Sequence, residues 1–87
     1  MTDQSLFEKN IMPKLIKEYK EANNTKIPFD LEKIKRLGME GFATRAWDEG
    51  DLQTAVNDLV KKGLIDAIGD GKYQISDLGI GWKEEPS

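Results

Sequence analysis

The dipeptide Asp70-Gly71 limits the fold of this chain more than any other feature of the sequence. It separates residues 65–68, which are apolar except for Asp66, from residues 73–76, in which apolar and polar side chains alternate. Asp-Gly between two such segments favours a two-residue turn, because both residues adopt positive φ at little cost. The pattern therefore predicts a tight β-hairpin near the end of the chain.

The same turn predicts a register for the hairpin. With Asp70-Gly71 as its two central residues, Ile68 lies opposite Tyr73. Asp66 fits this pairing poorly, because its neighbours on that face are apolar. The first strand is therefore expected to begin later than Ile65.

An amphipathic helix is predicted at the start of the chain. Ser5 and Glu8 have the spacing of a capping box, so the helix is expected to begin at Ser5. Apolar residues then recur at helical spacing to about Ala22. Pro13 interrupts this pattern and predicts a bend, and Asn23-Asn24 is expected to end the helix.

The apolar face of this helix is wider than a small core is expected to cover. An uncovered apolar patch usually marks an interface. We therefore predict a symmetric dimer or a partner groove lined by Phe7, Ile11 or Met12. The alternative is that the segment around Phe42 and Trp47 folds over the face within one chain. The face consists of Leu6, Phe7, Ile11, Met12, Leu15, Ile16 and Tyr19.

Two further helices are predicted between the first helix and the hairpin. Asp30 caps the second, and Gly38 or Gly41 ends it. Asp48 caps the third, and Gly63 ends it. The remaining segments are short: a loop or brief edge strand at 26–29, a helical turn at 42–47, and a single turn or loop at 77–82.

Composition narrows the class of protein. The 87 residues allow one domain, expected over residues 1–82 with a disordered tail at 83–87. The chain has no Cys and no His, so we expect neither an enzyme nor a bound cofactor. Asp48, Glu49 and Asp51 lack the ligand spacing of a calcium loop and suit helix capping, so no metal site is expected.

Without a signal peptide or a membrane-length apolar segment, a cytoplasmic location is expected.

The order helix, helix, helix, hairpin resembles a winged helix-turn-helix domain. Residues 52–65 resemble its recognition helix and exit, and residues 73–79 resemble the second wing strand of MarR-like and PadR-like regulators. Residues 48–65 are also similar to small bacterial YjcQ-like proteins. Residues 38–50 depart from the superfamily, in which a shorter turn joins the second and third helices.

The resemblance implies an α+β, mainly α fold of three to four helices and a C-terminal two-stranded hairpin. It also implies a DNA-binding protein, a transcriptional or mobile-element regulator acting as a dimer. Its recognition helix would span about residues 51–62 and its wing about residues 66–76.

Polar side chains on the exposed face of the third helix are the candidate DNA-binding groups. Gln and Asn pair with adenine edges, Thr contacts thymine methyls, and Lys neutralises phosphates. The other interpretation is that they are ordinary polar residues of a solvated helix face. The candidates are Gln53, Thr54, Asn57, Lys61, Lys62 and, at the wing tip, Lys72.

The charge of the chain argues against strong DNA binding. Lys and Arg number 13 against 16 Asp and Glu, a net charge of −3, whereas nucleic-acid binders are usually basic. The alternative function is a protein–protein interaction module, an adaptor or inhibitor built on the same scaffold. In that case Trp82 is a candidate anchor for a partner, although it is equally suited to packing back on the domain.

Overall fold

The computed structural model describes residues 3–39 and 48–83. These residues form an α+β structure, mainly helical, with one three-stranded antiparallel sheet in the order β1-β3-β2. The order of elements is compatible with a winged-helix layout. The predicted helical turn at 42–47, the predicted helix end at Gly41 and most of the predicted tail lie outside the described residues. The elements are α1 (Asp3–Glu21), β1 (Phe29–Asp30), α2 (Leu31–Met39), α3 (Glu49–Lys61), β2 (Ile65–Gly69), β3 (Lys72–Ile75) and α4 (Asp77–Ile80).

Helix α1 begins two residues earlier than the capping box predicts, at Asp3. Glu8, the predicted partner of Ser5 in the capping box, bonds distant parts of the chain: its two carboxylate oxygens accept bonds from Lys62 Nζ (2.7 Å) and Trp82 Nε1 (3.0 Å). The helix continues through Pro13, as expected.

The end of α1 confirms the role predicted for the two asparagines. Asn23 and Asn24 have φ values of 61° and 60°, the left-handed conformation that Asn tolerates better than most residues. Their backbone N–H groups donate to the carbonyls of Lys20 (3.1 Å) and Tyr19 (3.0 Å). This is a Schellman ending, which satisfies the last carbonyls of the helix.

Helix α2 confirms its predicted cap; of its two predicted ends, Gly38 is wrong and Gly41 lies outside the described residues. Asp30 Oδ1 accepts the backbone N–H of Lys33 at 2.9 Å, as an N-cap should. The helix continues through Gly38 to Met39. Just before α2, strand β1 is limited to Phe29–Asp30, since Pro28 has no N–H with which to extend the pairing.

Helix α3 has the cap and the end that the sequence predicts. Asp48 Oδ1 accepts the backbone N–H of Asp51 at 2.8 Å, and Asp51 Oδ2 accepts that of Asp48 at 3.3 Å. At the other end Gly63 has a φ of 79°, and Leu64 N–H donates to Leu59 O at 3.0 Å. Both ends of α3 are therefore fixed by local hydrogen bonds.

We expect Asp48→Ala to lower the free energy of unfolding by about 1 kcal/mol, because it leaves an N–H at the start of α3 without its acceptor. Urea denaturation followed by circular dichroism measures the change. Asp48→Asn is the matched control, since it keeps a side-chain oxygen at the same place. It should lower the free energy of unfolding by only a few tenths of a kcal/mol. Equal losses in the two variants would contradict a capping role for Asp48.

The hairpin turns at Asp70-Gly71, as predicted, with φ values of 54° and 70°. The predicted register is wrong by one residue, because Tyr73 pairs with Ala67 instead of Ile68. The pairing shifts between Ala67 and Gly69, so Ile68 is an extra residue, a β-bulge.

Burial explains this register. The bulge lets Ile65 pair with Ile75, and both side chains are buried, at 1% and 3% exposure. The predicted register would have set Asp66 opposite Ile75 and carried its charge toward the core. With the bulge, Asp66 is exposed and pairs with Gln74. The strand accordingly begins at Ile65 and not later.

The core lies between α1, α2, α3 and the sheet. Phe7, Ile11 and Met12 on α1 are completely buried in it. The prediction that these three side chains line an interface is therefore wrong, because none of their surface is exposed. The buried apolar side chains are Phe7, Ile11, Met12, Leu15, Phe29, Ile34, Leu52, Ala55, Val56, Leu59, Leu64, Ile65 and Ile75.

Of the two alternatives predicted for 77–82, a single turn or a loop, the C-terminal segment forms the single helical turn α4. Ser76 caps α4, and its hydroxyl oxygen accepts the N–H of Gly79 at 3.0 Å. The same hydroxyl donates to the carbonyl of Gly63, which ties the segment to the end of α3. Across the residues that the structure describes, no helix combines the length and apolarity needed to cross a membrane.

Candidate nucleic-acid interface

Helix α3 presents a polar row on the side opposite its buried face. Leu52, Val56 and Leu59 fix the helix on the core. Thr54, Asn57 and Lys61 follow one another at spacings of three and four residues and are all exposed. This row contains three of the residues that the sequence predicts as DNA contacts.

A chain of hydrogen bonds joins the polar row to the hairpin. Gln53 Nε2 donates to Asn57 Oδ1 at 2.9 Å and contacts the hydroxyl oxygen of Tyr73 at 3.4 Å. Tyr73 lies on β3, so α3 and the hairpin share one continuous surface. Tyr73 was not among the predicted site residues; its place in an alternating strand was the only sequence signal.

This bonding changes the role of Gln53. The side chain is half-buried, and its amide nitrogen has two acceptors within the protein, Asn57 Oδ1 and the Tyr73 hydroxyl. It is therefore not free to form the paired contact with adenine that was predicted for it. It orients the carboxamide of Asn57 instead. Thr54, for its part, donates its hydroxyl hydrogen to Gly50 O at 2.9 Å.

The lysines near α3 differ in their freedom to meet a phosphate. Lys61 is exposed and has no ion pair within the described residues. Lys62 Nζ lies 2.7 Å from Glu8 Oε1 and 3.2 Å from Asp58 Oδ2. The hydrogen bond to Glu8 raises the pKa of the Lys62 ammonium above its ordinary value, against the effect of burial. Lys62 therefore holds α3 to α1 and is a poor candidate for a phosphate contact.

Lys72, at the hairpin, has a looser partner. Its Nζ lies 3.7 Å from Asp30 Oδ2, and both side chains are about half exposed. The Lys33 N–H that donates to Asp30, and secondarily the charge of Lys72, lower the pKa of the Asp30 carboxyl. An exposed pair at this distance contributes little stability, so Lys72 can leave Asp30 for a phosphate at small cost.

The rest of the shared surface carries acidic and apolar groups. Asp51 on α3 and Asp66 and Asp70 in the hairpin are exposed. Ile68, on the bulge, is 45% exposed. The surface is therefore of mixed charge rather than a continuous basic strip.

Trp82, the remaining predicted interface residue, packs partly against the core. Its indole N–H donates to Glu8 Oε2 at 3.0 Å. Glu8 thus joins Lys62 and Trp82, a contact across 54 and 74 positions that sequence spacing does not reveal. Among residues 3–39 and 48–83, no group of three or more acidic side chains is arranged to hold a metal ion.

Comparison of the chain with known protein families, with curated proteins and with solved structures finds no match.

Proposed function

We propose that this protein is a small winged-helix regulator that binds DNA through the exposed face of α3, with the β2–β3 hairpin as its wing. The observation that carries the proposal is the Asn57–Gln53–Tyr73 chain of hydrogen bonds. It joins a row of polar side chains on one helix to a projecting hairpin, so that both can meet one duplex.

Asn57 is the residue assigned to base reading. Its side chain is exposed, and Gln53 donates to its carboxamide oxygen, which keeps a second lone pair for a further donor. A carboxamide oriented in this way can accept from adenine N6 and donate to adenine N7. Thr54 lies one turn earlier in the same row and is suited to a thymine methyl.

Phosphate contacts would come from Lys61 and from Lys72 after its release from Asp30. Two cations per chain give weak binding, and the nearby aspartates weaken it further. Two copies on a two-fold site would double the number of contacts, and this is the assembly that we propose on DNA.

The experiment is a titration of fluorescently labelled genomic fragments at low salt, followed by selection of the tightest fragment. We expect Asn57→Ala to weaken binding to the selected fragment by about 1–3 kcal/mol and to leave binding to unrelated DNA unchanged. Lys61→Ala should weaken binding to all fragments alike and reduce the salt slope by about one.

Lys17→Ala is the matched control, since it removes one exposed lysine from α1 and should leave binding almost unchanged. Absence of binding at low salt, where phosphate attraction is strongest, would overturn the DNA proposal.

A second candidate function uses the same surface for a protein partner. The observation that favours it is the exposed Ile68 beside acidic residues, together with the pairing of Lys62 with Glu8. Failure of the correctly folded protein to bind DNA in the titration would favour this second function, protein docking as an adaptor or inhibitor.

A further inference from the structure

A groove of about 560 Å³ lies beside the second half of α1, and none of its lining residues belongs to α3 or the hairpin. The side chains of Ile16 and Trp82 give it an apolar floor and wall. Its lining consists of Pro13, Ile16, Lys17, Lys20, Glu21, Trp82 and Lys83.

The tryptophan wall is held in place before any ligand arrives. Trp82 donates its indole N–H to Glu8, and Glu8 is itself bonded to Lys62. Part of the ring packs on the core while part lines the groove. A wall that is already fixed requires little further ordering on binding, which favours affinity.

The rim of the groove is basic, although the chain as a whole has a net charge of −3. Lys17, Lys20 and Lys83 line it against one acidic residue, Glu21. Lys17 and Glu21 are 3.8 Å apart and both largely exposed, so their pairing is worth little. Within the described residues, Lys20 and Lys83 have no ion pair. The rim therefore attracts carboxylates and repels basic segments.

The length of the groove along α1 suits a short helix. Its α1 wall runs from Pro13 to Glu21, about 12 Å at 1.5 Å per residue, which is slightly more than two turns. Helix-in-groove recognition uses apolar anchors spaced over this length. We propose that this groove docks an acidic amphipathic helix of a partner protein. Its apolar anchors pack on Ile16 and Trp82, and its carboxylates face Lys20 and Lys83.

The test is an NMR titration of the isotope-labelled full chain with two short synthetic helical peptides. Both carry leucines along one face; the first has glutamates beside them, and the second has lysines at the same positions. We expect the glutamate peptide to shift the signals of residues 13–21 and the indole N–H of Trp82. Lys20→Glu should weaken this binding about tenfold, equivalent to about 1.4 kcal/mol. Lys35→Glu, which reverses an exposed lysine of α2, is the matched control and should change it little.

Three results would overturn the proposal. The first is an absence of shifts in the groove at millimolar peptide, and the second is equal binding of the lysine peptide. The third concerns Glu84 and Glu85, which follow Lys83 in the sequence. If Glu84→Gln with Glu85→Gln strengthens peptide binding about tenfold, the chain's own tail is the natural occupant. The outcome is independent of DNA binding, because no residue of α3 or the hairpin is altered.

Discussion

Phe7→Ala is expected to lower the free energy of unfolding by about 3–5 kcal/mol. Phe7 is completely buried and is among the largest side chains in the core. Its removal loses the transfer free energy of the ring and leaves a cavity that a small core cannot close. A loss of this size is a large fraction of the stability of a typical domain. Urea denaturation measures the loss, and the dependence of the unfolding free energy on urea concentration should be the same as in the parent protein.

Leu6→Ala is the matched control for this prediction. Leu6 is the preceding residue on α1 and is 42% exposed, so its truncation should cost less than about 1 kcal/mol. If Phe7→Ala instead left stability intact and changed the sedimentation of the protein, Phe7 would lie in an interface and not in the core.

The sequence predicts well those helix ends that are fixed by local caps. Asp30 and Asp48 cap helices by bonding N–H groups three residues away. Gly63 ends α3 because its φ of 79° suits glycine. These interactions involve a few neighbouring residues, so a short stretch of sequence contains all the information they need.

The register of the hairpin could not be predicted in the same way. Turn chemistry alone sets Ile68 opposite Tyr73, and that pairing ignores the core. Burial of Ile65 against Ile75 is a tertiary requirement, and the bulge at Ile68 is how the strand meets it. The alternation of side chains was visible in the sequence, but the gain from burying this pair was not.

The extent of burial along α1 could not be predicted from the sequence either. Helical periodicity shows which residues share a face, but not how much of that face the rest of the chain covers. The same limit applies to the candidate site. Lys62 follows α3 and was predicted to contact DNA, but its partner Glu8 is 54 positions away on α1. Sequence spacing identifies neighbours on one helix, but it does not identify contacts between residues that are far apart in the sequence.

Gly79→Ala is expected to destabilise the protein by about 3 kcal/mol and to lower its melting temperature by about 12–24 °C. A Cβ at this position would lie 2.0 Å from the carbonyl oxygen of Leu64 and 3.0 Å from Ile75 Cγ1. Backbone cannot yield to this contact as a flexible side chain can. α4 would have to move away from Leu64 and lose the Ser76 N–H bond to its carbonyl, now 3.1 Å long.

Gly81→Ala separates this effect from a general cost of replacing glycine. Its φ is −87°, and an added Cβ would meet only Leu78 O at 3.7 Å, an ordinary contact. We expect its melting temperature to stay within a few degrees of the parent, since surface substitutions rarely exceed about 0.5 kcal/mol. The two variants add the same methyl group two residues apart. Equal melting temperatures for the two variants would therefore mean that α4 does not pack against Leu64. The packing of the C-terminal segment would then differ from the one described above.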